Sequence, residues 1–200
     1  GRSPSEADVA GGMIEVIRSA RKRVAVTTFA SNVARIRSVA LAAKACDRDV
    51  VVMGRSMHRV IEVATELGYL DGLPPFLGED AYGYLPPERC LLLLTGSQGE
   101  ARAALARIAS GDHRNVALSK GDTVIFSSRT IPGNEKGVGA IVNQLSDAGV
   151  RIVSDKDAMV HVSGHPRRDE LVELYGLVKP QTLVPAHGEP LHLKAHHDLG

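Results

Sequence analysis

Five short runs of apolar and β-branched residues, separated by helical patterns, constrain the fold of this chain more than any other feature. The runs are uninterrupted and lie at 24–29, 50–53, 90–95, 123–126 and 151–153. Strands without polar alternation are typical of sheets that are buried on both faces. The segments between them carry apolar residues at helical spacing, as at Met57, Val60, Ile61 and Ala64. The sequence therefore predicts an α/β fold, with a parallel sheet in the middle of three layers.

The two ends of the chain have a different texture from this central part. Residues 154–200 predict a short β-α-β-α segment, with strands at 158–162 and 182–184 and helices at 167–178 and 189–199. The N-terminal stretch predicts a helix with Val9, Met13, Val16 and Ala20 on its buried face.

Two polar residues are expected to open helices. Ser3 stands three residues before Glu6, with Pro4 between them, which is the pattern of a capping box. Ser56 is expected to cap the helix that follows the second strand.

Composition excludes several classes of protein. The 24 Lys and Arg residues nearly balance the 23 Asp and Glu residues, so the chain does not bind nucleic acid by bulk charge. Aromatic residues are 4% and Trp is absent, which argues against a base-stacking platform. No apolar run is long enough for a membrane span. Cys46 and Cys90 form no disulfide framework, which favours a reducing cytoplasm.

Polar loops follow the first four predicted strands. In a parallel sheet these loops share one edge, where ligands bind. They are rich in Ser, Gly, Asn and Arg, and Arg55 and Arg129 could clamp a phosphate bidentately. The alternative is that these residues only cap helices and form tight turns. The loops comprise residues 30–32, 54–56, 95–100 and 127–135.

Histidines form a second group of candidates. His161 and His165 end one predicted strand and His187 ends the next, in segments that contain glycine, where a histidine could bind a metal or a phosphate. Three histidines without a nearby Asp or Cys do not complete a zinc site. His192 and His196 share a helical face, but H-E-x-x-H is missing, so they are expected to be solvated.

Six motifs in this order resemble the ribonuclease J family, in the β-CASP branch of the metallo-β-lactamase superfamily. The resemblance spans nearly the whole chain, and the order makes it specific where any one motif would be weak. The motifs are TTFASN at 27–32, GRSM at 54–57, TGSQGE at 95–100, IPGNE at 131–135, HVSGH at 161–165 and PAHGE at 185–189.

The resemblance implies a division of the chain and an activity. Residues 1–20 would be a linker helix from the lactamase-like domain, 21–153 the β-CASP domain, and 154–200 the returning lactamase-like or RNA-specificity segment. The family cleaves RNA with two zinc ions, as a 5′-to-3′ exonuclease and as an endonuclease. It acts on 5′-monophosphorylated RNA, is cytoplasmic and forms dimers or tetramers. No membrane partner is implied.

The resemblance also implies roles for individual residues. His187 resembles a metal ligand, and His165 resembles the catalytic histidine that protonates the leaving oxygen. Glu6 resembles the acidic residue that orients this histidine, although a capping role would also explain it. The remaining residues resemble the part of the family that binds the substrate phosphate: His161, Ser163, Gly164, Ser31, Asn32 and Ser128.

Two departures from the family pattern limit these implications. The zinc motif H-x-H-x-D-H is absent, and Ala101-Arg102 stands where Pro-Met is expected. The chain is therefore expected to be an excised fragment with most zinc ligands elsewhere, and inactive by itself. The alternatives are a non-catalytic RNA-binding or regulatory module and a small-molecule hydrolase of the same superfamily, which the phosphate-suited loops disfavour.

Overall fold

The computed structural model describes residues 1–200 and contains five strands and seven α-helices. The strands are β1 (Val24–Thr27), β2 (Asp49–Met53), β3 (Cys90–Leu94), β4 (Thr123–Phe126) and β5 (Arg151–Val153). The helices are α1 (Glu6–Ser19), α2 (Val33–Lys44), α3 (Arg55–Glu66), α4 (Ala104–Ala109), α5 (Glu135–Asp147), α6 (Arg168–Val178) and α7 (Pro190–His197). Two 3-10 helices, Glu79–Gly83 and Pro87–Arg89, lie between α3 and β3.

The five strands form one parallel sheet in the order β2-β3-β1-β4-β5. In the central strand, Val24 is aligned with Leu91 of β3 on one side and with Thr123 of β4 on the other. Every residue of β1, β3 and β4 is buried, which explains their uninterrupted apolar runs. The predicted α/β fold with a parallel sheet is confirmed, and each strand lies close to its predicted position.

Helices cover both faces of the sheet, and alternate strand residues serve the two faces. Val24 and Val26 belong to the apolar core formed with α1, α2 and α3. Ala25 belongs to the second core, which is formed with α4 and α5. The predicted three-layer arrangement is therefore confirmed, with three helices on one face and two on the other.

The outer edge of β2 is partly covered by the irregular segment that follows α3. Leu77 accepts a hydrogen bond from the Val52 amide at 2.9 Å and donates its own amide to the Val50 carbonyl at 2.8 Å. This single bridge satisfies backbone groups that an open sheet edge would leave unpaired.

The predicted helix caps are wrong in detail. The cap of α1 is Ser5, whose side chain accepts from the Asp8 amide while the Asp8 carboxylate accepts from the Ser5 amide. The capping box thus lies two residues after the predicted pair of Ser3 and Glu6. At α3, the cap is Gly54 in place of Ser56.

The two strands predicted after residue 154 do not form. Residues 158–162 are irregular although Val160 is completely buried, and 182–184 are irregular as well. A strand needs a neighbour to complete its hydrogen bonds, and neither segment pairs with one. The helices predicted nearby do form, as α6 and α7.

The chain divides into two compact units. One is continuous and comprises Ser5–Val162, and the other combines Gly1–Pro4 with Ser163–Gly200. In the smaller unit, the first residues are tied to α6: the Gly1 amino group lies 3.0 Å from Asp169, and Ser3 Oγ donates to Glu170 at 2.8 Å. No helix of the chain is long and apolar enough to cross a membrane.

Candidate functional site

The polar loops after β1, β2 and β3 surround a cavity of about 590 Å³ in the larger unit. The parallel sheet brings them together because the carboxyl ends of its strands lie at one edge. The wall includes hydroxyls from all three loops and charged side chains from the loops after β2 and β3. Its polar side chains are Thr28, Ser31, Arg55, Ser56, Thr95, Ser97, Glu100 and Arg102.

Two of the predicted phosphate-binding residues, Ser31 and Arg55, line this cavity. Both are exposed, as is Arg102, which sequence reasoning noted only as a departure from the family pattern. Neither arginine forms an ion pair within the chain. Glu100 also lines the cavity, and its carboxylate accepts from the Gln98 amide at 3.0 Å. The cavity therefore presents two unpaired positive charges and one carboxylate that is already engaged.

The amino end of α3 opens toward the same cavity. Gly54 has a φ of 94°, a conformation that glycine adopts without strain, and it offers no side chain to cap the helix. The amides of the first turn of α3 are thus left without a side-chain acceptor. Unpaired amides and the helix dipole favour an anion at such a position.

Asn32 has a structural role in this loop. Its Oδ1 accepts a hydrogen bond from the Arg35 amide at 3.0 Å, so Asn32 caps α2. It is not among the residues that line the cavity. This contact is that of a helix cap, the alternative role for the polar loop residues.

Ser128 and Arg129 lie at the end of β4, in a network centred on Gln98. Ser128 is buried, 3.5 Å from Gln98 Nε2, and the Arg129 carbonyl accepts from the same nitrogen at 3.0 Å. The Arg129 guanidinium lies 3.4 Å from Asp155 and is mostly exposed. Sequence reasoning missed Gln98, although its place in the third loop was noted.

A buried arginine, Arg35, lies between Glu6 and Ser127 near the end of β4. The sequence did not predict its burial. The Arg35 side chain is completely buried, and its Nη1 donates to Ser127 Oγ at 2.7 Å. On its other side, Nε and Nη2 contact the Glu6 carboxylate at 3.0 and 2.5 Å. Ser38 Oγ also donates to Glu6, at 3.2 Å.

These contacts set the charge of Glu6. Burial raises the pKa of Glu6, but the hydrogen bonds and charge of Arg35 and the hydroxyl of Ser38 outweigh it, so the net pKa is lowered. Glu6 is therefore ionised at neutral pH. The predicted capping role of Glu6 is replaced by this ion pair.

His161 is half-buried beside the same arginine. Its Nδ1 lies 3.3 Å from Arg35 Nη1. Because a guanidinium only donates, Nδ1 must accept, and the proton of a neutral His161 then sits on Nε2. Burial first, and then the Arg35 charge, lower the pKa of His161. The larger unit thus holds His161 neutral, with an N–H donor at Nε2.

The other predicted residues belong to the smaller unit. Ser163 Oγ accepts from the His165 amide at 3.1 Å, and Gly164, His165 and His187 are exposed. Nowhere in the chain do three or more His, Cys, Asp or Glu side chains form a group that could hold a metal ion. The residues present therefore do not make a zinc site among themselves, and the metal role of His187 stays a prediction.

Comparison with known proteins identifies the family of this edge and of the segment that follows it. Residues 21–145 match the family described as "Ribonuclease J, beta-CASP domain", and residues 149–200 match "Zn-dependent metallo-hydrolase RNA specificity domain".

Similar proteins cover the whole chain. A protein named ribonuclease J from Sinorhizobium meliloti is 56% identical over 200 residues, which is 100% of this chain and 36% of the relative. Those from Mycolicibacterium smegmatis and Thermus thermophilus are 45% and 41% identical, over 98% and 96% of this chain and 35% and 34% of each relative. The chain spans about a third of the length of these relatives. With its parallel sheet, its edge motifs and matches over both segments, the chain belongs to the ribonuclease J family.

Proposed function

We propose that this chain is the RNA-gripping part of a zinc-dependent ribonuclease that degrades and processes RNA as a 5′-to-3′ exonuclease and as an endonuclease. The observation that carries the proposal is the cavity of about 590 Å³ at the sheet edge, called the edge cavity below. There Arg55 and Arg102 form no ion pair, and no side chain caps the start of α3. Guanidinium groups and helix amides are the donors that bind phosphate best in proteins. Their placement supports a local grip on an RNA backbone, consistent with a chain of nearly balanced charge.

The proposed division of the chain is the one that the family resemblance implies. Residues 1–20 serve as the linker helix, 21–153 as the β-CASP domain and 154–200 as the returning RNA-specificity segment. The protein works in the cytoplasm as a homo-oligomer, on RNA and without a membrane partner.

The 5′ phosphate of the RNA is the group we expect this edge to select. His161, kept neutral by burial and by Arg35, can donate from Nε2 to a phosphate oxygen without repelling its neighbour. Ser128, Ser31 and Arg129 complete the proposed phosphate-binding group of the larger unit. The resemblance assigns the same role to Ser163 and Gly164 of the smaller unit and to Asn32, whose Oδ1 also caps α2. The assignment rests on the resemblance, and the tautomer of His161 supports it.

The catalytic roles are carried by residues that this chain contributes to a larger site. The resemblance assigns to His165 the donation of a proton to the leaving oxygen and to Glu6 the role of the acidic residue, and Arg35 keeps Glu6 ionised. His187 would bind one of the two zinc ions. Zinc in such sites activates water for attack on phosphorus.

For the 200 residues alone, the proposal is narrower. With one proposed zinc ligand, the chain binds RNA and hydrolyses it negligibly, with or without added zinc. Robust zinc-dependent cleavage by the 200-residue chain would contradict this statement. A non-catalytic RNA-binding or regulatory module is the second candidate for the longer protein, and absence of activity in that protein would favour it.

The proposal is tested by comparing 5′-monophosphorylated with 5′-hydroxyl RNA as substrates of the protein that contains this chain. The monophosphorylated RNA should be cleaved faster, and Ser128→Ala or His161→Ala should erase the difference. Ser146→Ala, on the exposed face of α5, is the control and should preserve it. An unchanged ratio in both edge variants removes the 5′-phosphate assignment.

A further inference from the structure

A second, smaller cavity lies beside the edge cavity and is more strongly basic. Its volume is about 310 Å³, and it lies between the start of α3, the helix α4 and the 3-10 helix at Glu79–Gly83. It shares Arg55 and Arg102 with the edge cavity, whereas His58, Arg107 and His113 line it alone.

The charges of this cavity are not compensated within the chain. Three guanidinium groups line it, and none of them forms an ion pair. The single carboxylate, Glu79, accepts from Asn115 Nδ2 at 3.0 Å and lies 3.9 Å from His113 Nε2. Three unpaired arginines around one small cavity attract an anion.

A buried polar atom at the same place lacks a partner. The His113 side chain is only 7% exposed, and its Nδ1 is buried without any hydrogen bond. Buried polar atoms in folded proteins are nearly always satisfied, so an unpaired one indicates a missing ligand or water. When His113 is protonated at Nδ1, that atom needs an acceptor that the chain does not supply.

The helix geometry agrees with an anion. α3 is twelve residues long and begins at Arg55 with no side-chain cap, so its first amides are available on the side where the cavity lies. Arginine forks match the tetrahedral oxygens of phosphate and can bind two of them at once.

We propose that this cavity is a second phosphate-binding site beside the edge cavity, built by Arg107 and His113 together with Arg55 and Arg102, which line both cavities. It takes a phosphate group, which comes either from the RNA backbone or from a small phosphate-bearing molecule. The site goes beyond the proposed function, because its phosphate binding can be measured without any nuclease activity.

The first experiment titrates the protein with inorganic phosphate at constant ionic strength and follows the imidazole NMR signals. The His113 and His58 signals should shift and saturate. Arg107→Gln should weaken the phosphate affinity about tenfold, because one charge-assisted bidentate contact contributes on that order. Arg114→Gln is the matched control, since Arg114 is exposed nearby and lines neither cavity, and it should change the affinity less than about twofold.

Two outcomes overturn the proposal. One is that the His113 and His58 signals do not shift at about 50 mM phosphate. We expect a dissociation constant on the order of 1 mM, so this concentration would saturate the site. The other is an equal loss of affinity in Arg107→Gln and Arg114→Gln, which would mean that phosphate responds to general charge only.

A final arm separates the two sources of phosphate. A 2′-O-methyl RNA with a 5′-hydroxyl end resists cleavage and lacks the 5′ phosphate. If it displaces inorganic phosphate at His113, the site binds the RNA backbone. If phosphate stays bound at saturating RNA, the site serves a free phosphate-bearing molecule. Loss of nuclease activity would bear on the proposed function only, because phosphate binding at His113 is measured without cleavage. The proposed function and the second phosphate site can therefore fail separately.

Discussion

Arg35 and Glu6 form a bidentate ion pair in which the guanidinium is completely buried and the carboxylate is one-third exposed. The pair joins the first turn of α1 to the first turn of α2, beneath the edge where the polar loops meet. It also places Arg35 against His161, so one buried charge influences two of the residues that the sequence singled out.

Removing Arg35 should be strongly destabilising. Arg35→Met keeps similar volume but leaves Glu6 without its buried partner and Ser127 without its donor, and the expected loss is about 3–5 kcal/mol in the free energy of unfolding. Arg59→Met is the control, because its pair with Glu62 is exposed on α3, and it should cost less than about 1 kcal/mol. Urea unfolding of both variants measures the contrast, and equal losses would contradict it.

The pH dependence of stability should reveal His161. Its folded pKa lies below the unfolded value near 6.5, because burial and Arg35 disfavour the charged form. The unfolded chain therefore takes up the proton first as the pH falls. The stability that His161 contributes is present above about pH 6.5 and is lost as the pH falls through the folded pKa.

The measurement compares the protein with His161→Gln between about pH 7.5 and 5. The variant should lose less stability on acidification. Glu6 does not interfere, because its lowered pKa places its own titration below the ordinary value of 4.5. Parallel stability curves for the two proteins would refute the assignment.

The sheet could be predicted from the sequence because its strands are buried on both faces, and such strands require uninterrupted runs of apolar residues. The burial of Arg35 could not be predicted in this way. Arg35 stands between Val33 and Ile36 in a helix, where a charged residue is ordinarily solvated. Its burial depends on Glu6, 29 residues earlier, and on Ser127, 92 residues later.

The edge loops could be predicted for a similar reason, since their position follows from the parallel topology. The roles of single residues in these loops could not be predicted. Asn32 and Ser31 are neighbours in the sequence, yet Asn32 caps α2 and Ser31 lines the cavity. Val160 misled the strand prediction, because complete burial selects a β-branched residue whether or not a strand forms.

Two adjacent glycines of α1 should respond oppositely to alanine. A Cβ on Gly12 would overlap the Met159 carbonyl oxygen, whereas a Cβ on Gly11 would meet nothing within 4 Å. Gly12→Ala should therefore destabilise the fold by about 1–3 kcal/mol through overpacking. Gly11→Ala should stabilise it by about 0.5–1 kcal/mol, because alanine is the better helix former. Thermal unfolding of both variants measures the change in stability. Stabilisation by Gly12→Ala would contradict the close contact between Gly12 and Met159.

The two cysteines should differ in reactivity. Burial raises the pKa of the Cys90 thiol to about 11, so almost no thiolate forms at neutral pH, and the side chain is completely buried. Cys46 is partly exposed. Iodoacetamide at pH 8 should label Cys46 and leave Cys90 unmodified until urea is added. Mass spectrometry of the labelled peptides reads this out, and equal labelling of the native protein would be inconsistent with the buried thiol.

Gln98 connects the loop after β3 to the loop after β4, and its loss should loosen the second loop. Its Oε1 accepts from the Ile131 amide at 2.8 Å, and its Nε2 donates to the Arg129 carbonyl at 3.0 Å. Gln98→Leu keeps the volume but leaves both groups unpaired, at a cost of about 1–3 kcal/mol. Amide hydrogen exchange at residues 129–134 should accelerate, since local opening no longer breaks these bonds.

The control for this change is Gln144→Leu in α5, because the Gln144 side chain is exposed to solvent. It should alter stability by no more than about 0.5 kcal/mol and leave exchange at 129–134 unchanged. If Gln98→Leu also left that exchange unchanged, the two loops would be held by other contacts.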